Sequence, residues 1–237
     1  MFQEFKFENE DASLDEIENN LLRKLNIKGK ILVDMGGGYG RLSSIFVESF
    51  EKIYVLDYSR YNLIRLRSSP FKSRIFPIQG DFTNVMFKKE TVDAIISFRA
   101  IHHYETPLFI KKWLEYLVPG GRLYFNIDNL ENITLIYDRL FKRKIPLKGN
   151  FNVLCTFENG IRFCFHSRRI IYEIFKEEIL FEKVSIRTLN YGFLHRKFVE
   201  NIVFRKFPKL QGEYFNVRDG NLSRFLYSFT LFEVEKI

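Results

Sequence analysis

The stretch Ile31-Leu32-Val33-Asp34-Met35-Gly36-Gly37-Gly38-Tyr39-Gly40-Arg41 decides how the rest of this chain is read. Three apolar residues suited to a strand run into an acid. A glycine-dense turn follows, and Arg41 to Phe50 then has the composition of a helix. A strand that enters such a turn brings bare backbone N–H groups and a helix start to one point in space. Such a place suits a nucleotide-like ligand.

The same rhythm continues on both sides. Ser13 with Glu16 three residues on has the pattern of a capping box. Leu14, Ile17, Leu21 and Leu25 recur at helical spacing, which predicts an amphipathic helix over 14–26. After the glycine turn, Ile53–Asp57 reads as a second strand, and Ser59 caps a helix carrying Leu63, Ile64 and Leu66. Ser73–Gln79 is a third strand, and Pro77 within it points to an edge or a distortion. Val92–Phe98 is a fourth. Pro107 suits a first helical turn, with Ile110, Trp113, Leu114 and Leu117 following. Pro119-Gly120-Gly121 stops that helix before a fifth strand, Arg122–Ile127. Strands separated by helix-length segments imply βαβ units and a parallel sheet.

Beyond residue 128 the pattern changes. Leu130–Arg143 reads as a helix. Val153–Phe157 and Ile161–Phe165 flank Asn159-Gly160, a hairpin signal. Ser167 caps a helix running to Glu178, and Val184–Thr188 and Leu226–Val234 close the chain as strands. No repeat, low-complexity tract or Gly/Ser linker divides it. The expected architecture is one doubly wound α/β domain over 1–237. Its sheet is mainly parallel. Residues 1–29 form an N-terminal helical segment and 30–128 a cofactor-binding half. Residues 129–237 form a substrate-side half with a lid-like addition.

Bulk properties narrow the class. The 237 residues are 46% hydrophobic, the composition of a globular chain. Lys and Arg number 37 against 29 Asp and Glu, a formal net charge of +8. This basic balance favours anionic partners, RNA among them. Cys155 and Cys164 cannot make a tetrahedral zinc site alone. They read as reduced core residues, and no metal is expected. The N-terminus lacks the basic and apolar regions of a signal peptide, and no run reaches the ~18 apolar residues of a membrane span. A soluble, cytoplasmic protein is expected, with no membrane span. The oligomeric state is not legible.

The glycine turn fits a dinucleotide loop poorly. Counting G-x-G-x-x-G/A from Gly36 places Arg41 where a helix must pack closely. Counting from Gly38 starts the loop far from the strand end. No Gly-Lys-Ser/Thr follows, which excludes a P-loop. What fits is Asp34-x-Gly36-x-Gly38-x-Gly40.

Here the chain resembles the class I (Rossmann-like) S-adenosylmethionine-dependent methyltransferases. Val33–Gly40 is similar to the family's first motif, and Tyr54–Asp57 to its second. Gln79-Gly80-Asp81-Phe82 is similar to its third. Asp93–His103 resembles the fourth strand with its loop, and Leu117–Leu123 the Pro-Gly-Gly turn before the fifth strand. The five lie in the family's order over residues 30–127, and the resemblance does not reach specifically into 128–237. It implies a Rossmann-like, mainly parallel sheet of seven strands with the last antiparallel, S-adenosylmethionine as cofactor and a methyl-transfer enzyme. Gly36, Gly38 and Gly40 would let the backbone approach the cofactor, and Asp57 would accept from the ribose hydroxyls. Asp81 and the backbone at Phe82 would meet the adenine, and Asp34 would lie by the amino-acid tail. Tyr58 would pack on the adenine face, with Phe98 also in the cofactor set. The rival roles are a strand-ending surface acid for Asp57, a turn or helix cap for Asp81, and loop ordering for Asp34.

The acceptor would be met by the segment after the fourth strand. Ligands of parallel sheets sit beyond the carboxyl ends of the strands. That places Arg99 and Tyr104 as substrate contacts and His102 and His103 as candidate bases. The rival reading of the histidines is a loop cap. The segment lacks the Asn/Asp-Pro-Pro-Tyr/Phe pattern of amide and exocyclic-amine methyltransferases, which argues against adenine-N6 chemistry. Leu194–Lys209 mixes cations with aromatics. This suits either an ordinary amphipathic helix or a phosphate-and-base surface. A small-molecule acceptor is the leading expectation and RNA the second. A non-catalytic methyltransferase-like scaffold is the rival of a different class.

Overall fold

A computed structural model describes residues 12–67, 73–105, 107–132, 135–136, 152–156, 162–176, 183–193 and 227–237. Two compact units emerge. The first comprises Met1–Ala100, Phe109–Phe125 and Val234–Ile237, and the second comprises Ile101–Leu108 and Asn126–Glu233. No linker in the sequence marks this division.

The elements in chain order are α1 (Ala12–Lys24), β1 (Gly29–Met35), β2 (Phe50–Asp57), α2 (Arg60–Arg67), β3 (Ile75–Gln79), β4 (Val92–Ser97), α3 (Phe109–Tyr116), β5 (Leu117–Asp128), β6 (Asn152–Thr156), β7 (Arg162–His166), α4 (Arg168–Phe175), β8 (Val184–Phe193) and β9 (Tyr227–Lys236). A seven-stranded sheet has the order β3-β2-β1-β4-β5-β9-β8. The β3–β2, β2–β1, β1–β4 and β4–β5 pairings are parallel. The mixed α/β, mostly parallel sheet is the architecture expected from the sequence.

The central strands are buried on both faces. Leu32, Val33, Asp34 and Met35 of β1 and Ala94, Ile95, Ile96 and Ser97 of β4 are all buried, the near-continuous apolar pattern of a parallel interior. Asp93 Oδ2 accepts from the N–H groups of Lys30 (3.0 Å) and Ile31 (2.7 Å), fixing where β1 begins. At the other end of these strands, Ser97 Oγ donates to the Met35 carbonyl at 2.8 Å. β3 is an edge strand, and Pro77 sits in it opposite Val55.

Three local expectations change. The helix expected after the glycine turn is only a 3-10 turn, Ser43–Phe46. Ser43 Oγ donates to Asp34 and Ser44 Oγ to the Arg41 carbonyl. Such serine side chains draw hydrogen bonding away from a regular helix. Pro119-Gly120-Gly121 does not stand apart from the fifth strand. It lies inside β5, where the pairing with β4 slips between Val92 and Ala94, a β-bulge with Gly120 at φ +76°. α1 begins two residues before its expected start and ends two before its expected end.

In the second unit, β6 and β7 form the antiparallel hairpin expected around Asn159-Gly160. Ser167 caps α4, its Oγ accepting from Ile170 N at 3.4 Å. Asn126 donates to the Tyr191 hydroxyl at 2.7 Å, and Thr230 Oγ1 donates to Asn190 Oδ1 at 2.8 Å. Cys164 is buried. Most of the expected helix over 130–143, and all of Leu194–Lys209, lie outside the described residues.

Candidate functional site

In the first unit the site is built on the carboxyl ends of β1, β2 and β4. Gly36, Gly38 and Gly40 all have φ between +58° and +80°, so the turn alternates through a backbone region that suits glycine. The N–H groups of Gly36 and Gly37 both donate to the Leu56 carbonyl, at 2.8 and 3.2 Å. The N–H of Gly38 donates to Asp57 Oδ2 at 2.8 Å. The turn is therefore pinned along the end of β2.

A Cβ at Gly36 would lie 2.5 Å from Ala100 Cβ, and one at Gly40 would lie 2.5 Å from Leu66 Cδ1. Gly38 is different: the nearest atom to its Cβ position is Asn62 Nδ2 at 3.8 Å. Around a Cβ at Gly80 there is nothing within 4 Å. Both open positions border Asp57, because Gly80 N also donates to the Asp57 main-chain carbonyl at 3.1 Å. Open space thus lies at Gly38, whose N–H holds this carboxylate, and at Gly80, beside the Asp57 main chain.

Asp57 is half-buried. Its Oδ1 accepts from Ser59 N at 2.8 Å, and burial raises its pKa against the pull of the Ser59 and Gly38 amides and the Asn62 side chain. A carboxylate has about four acceptor positions, so capacity for a ligand hydroxyl is left. Tyr58, next in the chain, is 51% exposed. A carboxylate beside an exposed aromatic ring, with glycine-lined space around it, fits an adenosine group.

The other expected residues fall into two groups. Asp34 is buried beneath the turn and accepts from Ser43 Oγ at 2.6 Å. Burial raises its pKa to about 7, opposed by Ser43 and Arg41. Asp81 Oδ1 accepts from Thr83 N and Oγ1, at 2.9 and 2.7 Å, the geometry of a turn cap. Phe82 is buried among Phe109 and Trp113, and its carbonyl accepts from Trp113 Nε1 at 3.3 Å. Phe98 is buried where β4 ends. Arg99 carries φ +53°. Its Nε and Nη2 donate to the two Glu18 oxygens, and Nη2 also to Asp15 at 2.6 Å.

The second unit holds the histidines. His102 Nδ1 lies 3.3 Å from Asp128 Oδ2. Its ring stacks on Phe163, with centroids 4.1 Å apart and planes 17° from parallel, and meets His103 edge-on at 4.3 Å. His166 is fully buried and its pKa is lowered to about 4, chiefly by that burial. Tyr104 is half-buried, its N–H bonded to the Ile101 carbonyl. Sequence reading missed Asp128, His166 and Phe163 around His102. Asp128 and His166 had only their position at a strand end as a signal, and Phe163, inside a strand, had none. Glu18 was also missed. An acid between Ile17 and Leu21 on the apolar stripe of a helix was the available clue. Among the described residues, no group of three or more His, Cys, Asp or Glu is placed to hold a metal ion. No described helix is long and apolar enough to cross a membrane.

Comparison with known proteins agrees with this geometry. Residues 33–125 match the methyltransferase domain family. Among curated proteins, none matches the chain. A putative S-adenosylmethionine-dependent methyltransferase from Listeria monocytogenes has a similar fold. It is 14% identical with a TM-score of 0.66, over 96% of this chain and 100% of that one. A Thermotoga maritima methyltransferase, described as a possible histamine N-methyltransferase, is 18% identical with a TM-score of 0.62, over 95% and 89%. The 1,6-didemethyltoxoflavin-N1-methyltransferase of Burkholderia thailandensis, solved with its acceptor and S-adenosylhomocysteine, is 11% identical with a TM-score of 0.59, over 96% and 79%. The chain carries a methyltransferase domain over residues 33–125, on a fold like that of the Rossmann-like S-adenosylmethionine-dependent methyltransferases. It is an enzyme, and its cofactor is S-adenosylmethionine.

Proposed function

We propose that this enzyme methylates a small molecule whose acceptor atom carries a proton, and that His102 removes that proton. The observation that carries the proposal is the fixing of His102 by Asp128 and Phe163. A carboxylate at Nδ1 holds the proton there and leaves Nε2 as the basic nitrogen. S-adenosylmethionine supplies an electrophilic methyl group whose leaving group is a neutral thioether. His102 Nε2 would take the proton that the acceptor atom gives up on methylation, and the thioether would leave with the carbon–sulfur electron pair. An acceptor without such a proton needs only alignment.

On the donor side, Gly36, Gly38 and Gly40 admit the cofactor, and Asp57 accepts from the ribose hydroxyls. Tyr58 would pack on the adenine, which Asp81, the Phe82 backbone and Phe98 would also meet, and Asp34 would order the turn by the amino-acid tail. Residues 1–237 act as one methyltransferase domain, the half after residue 128 choosing the acceptor. His103 and Tyr104 border that choice. The two similar enzymes named for histamine and for a toxoflavin precursor support a small acceptor. RNA is the second reading, on the net charge of +8.

A radiolabelled methyl-transfer screen over cell extract, split into RNA, protein and small molecules, tests this. Label in the small-molecule fraction is expected. Label confined to RNA, with affinity that falls as salt rises, would establish the second reading instead.

A further inference from the structure

We propose that Glu18 of α1 is a positioning residue for the donor site, holding the glycine turn and the segment after β4 through Arg41 and Arg99. The inference rests on the reading of Asp57 and the glycine turn as that site.

Glu18 is fully buried and shares the face of α1 that carries Ile17, Leu21 and Leu22. A carboxylate in such a place is costly unless it is paired and hydrogen-bonded. Two guanidinium groups pair with it. Arg41 Nη2 lies 2.6 Å from Glu18 Oε2, and Arg41 Nη1 donates to Asn19 Oδ1 at 3.3 Å. Arg99 places Nη2 on Glu18 Oε2 at 2.7 Å and Nε on Oε1 at 3.1 Å, the fork-on-carboxylate arrangement. Asp15 reaches both arginines, at 3.5 and 2.6 Å.

The two arginines belong to the two segments that shape the turn. Arg41 directly follows Gly40 and also bears on the buried Asp34 electrostatically. Arg99 directly precedes Ala100, whose Cβ lies 2.5 Å from where a Cβ at Gly36 would be. Arg99 holds φ +53°, a region that residues with a Cβ rarely adopt, so something must keep it there. The paired oxygens of Glu18 supply that hold. Without them Arg99 relaxes and carries Ala100 with it, and Ala100 sets the room left for Gly36. One buried carboxylate therefore fixes both sides of the turn. Buried ion networks are weak sources of stability, and here the network serves geometry.

The test measures S-adenosylhomocysteine affinity by calorimetry, well below the unfolding midpoint, beside denaturant unfolding without ligand. Glu18→Gln is expected to weaken binding on the order of tenfold while the variant stays folded. Arg99→Lys keeps the charge but loses the fork, and should show a smaller loss in the same direction. The double variant should bind about as Glu18→Gln does, because both changes break one network. A folded Glu18→Gln protein that unfolds earlier yet keeps wild-type affinity overturns the proposal: α1 would then only dock. If Glu18→Gln does not fold, wild-type affinity in Arg99→Lys overturns it equally. Failure of the wild-type protein to bind S-adenosylhomocysteine would instead remove the donor-site reading.

Discussion

Asp34→Asn tests the electrostatics beneath the glycine turn. The carboxyl is buried, and its pKa rises from 3.8 to about 7. Between those values the folded protein holds a proton that the unfolded chain has released. Stability from this group is therefore fully present below the unfolded pKa and is lost as pH rises through the folded one. The full span is worth about 4 kcal/mol, and about 3 kcal/mol of it falls between pH 5 and pH 8. Asparagine still accepts from Ser43 through its amide oxygen and does not titrate. The stability of the variant minus that of the wild type should thus rise by about 3 kcal/mol from pH 5 to pH 8. The subtraction matters because His166 acts with opposite sign. Its pKa is lowered from 6.5 to about 4, so its contribution is present above the unfolded pKa and lost as pH falls toward the folded one. Urea unfolding of both proteins without ligand, at several pH values across this range, gives the difference. A difference constant to within about 0.5 kcal/mol would mean that Asp34 is ionised throughout in the folded protein, and would refute the argument.

Asp57→Ala should weaken S-adenosylhomocysteine binding by about 1–3 kcal/mol, and unchanged calorimetric affinity would remove Asp57 from the donor site. Gly36→Ala should cost about 1–3 kcal/mol more than Gly38→Ala in denaturant unfolding. Both positions have positive φ, but only at Gly36 does the new methyl meet Ala100. Equal costs would show that Ala100 gives way. His102→Gln and Asp128→Asn should slow methyl transfer to a protonated acceptor, on the order of 10²-fold or more for His102. S-adenosylhomocysteine affinity should stay as it was. Rates like those of the wild type would return both side chains to a structural role.

How much of this was visible in the sequence depends on how far apart the partners lie. Strand ends and turns are local, so Val33–Gly40, Tyr54–Asp57 and Gln79–Phe82 could be read in place, and a mainly parallel sheet followed from their alternation. The hairpin at Asn159-Gly160 was equally local. The missing helix after Gly40 was not, because it turns on Ser43 reaching Asp34 nine residues back. Arg99 reads as a substrate contact from its position after β4. Its partners Asp15 and Glu18 lie 84 and 81 residues away. Asp128 and Phe163 meet His102 only through the folding of the second unit, and no spacing announces that.

The bonds flanking β3 carry a consequence for behaviour in solution. Ile53 N donates to the Arg74 carbonyl and Gly80 N to the Asp57 carbonyl, so even-numbered residues face β2 and Pro77 faces outward. An incoming strand from another molecule would need a donor at that spot, midway along the edge, and proline has none. Pro77 thus blunts an outer margin that could otherwise template intermolecular pairing as the chain folds. Pro77→Val should restore the donor and lower the concentration at which light scattering appears during refolding; an unchanged threshold would show that the edge is guarded by something else.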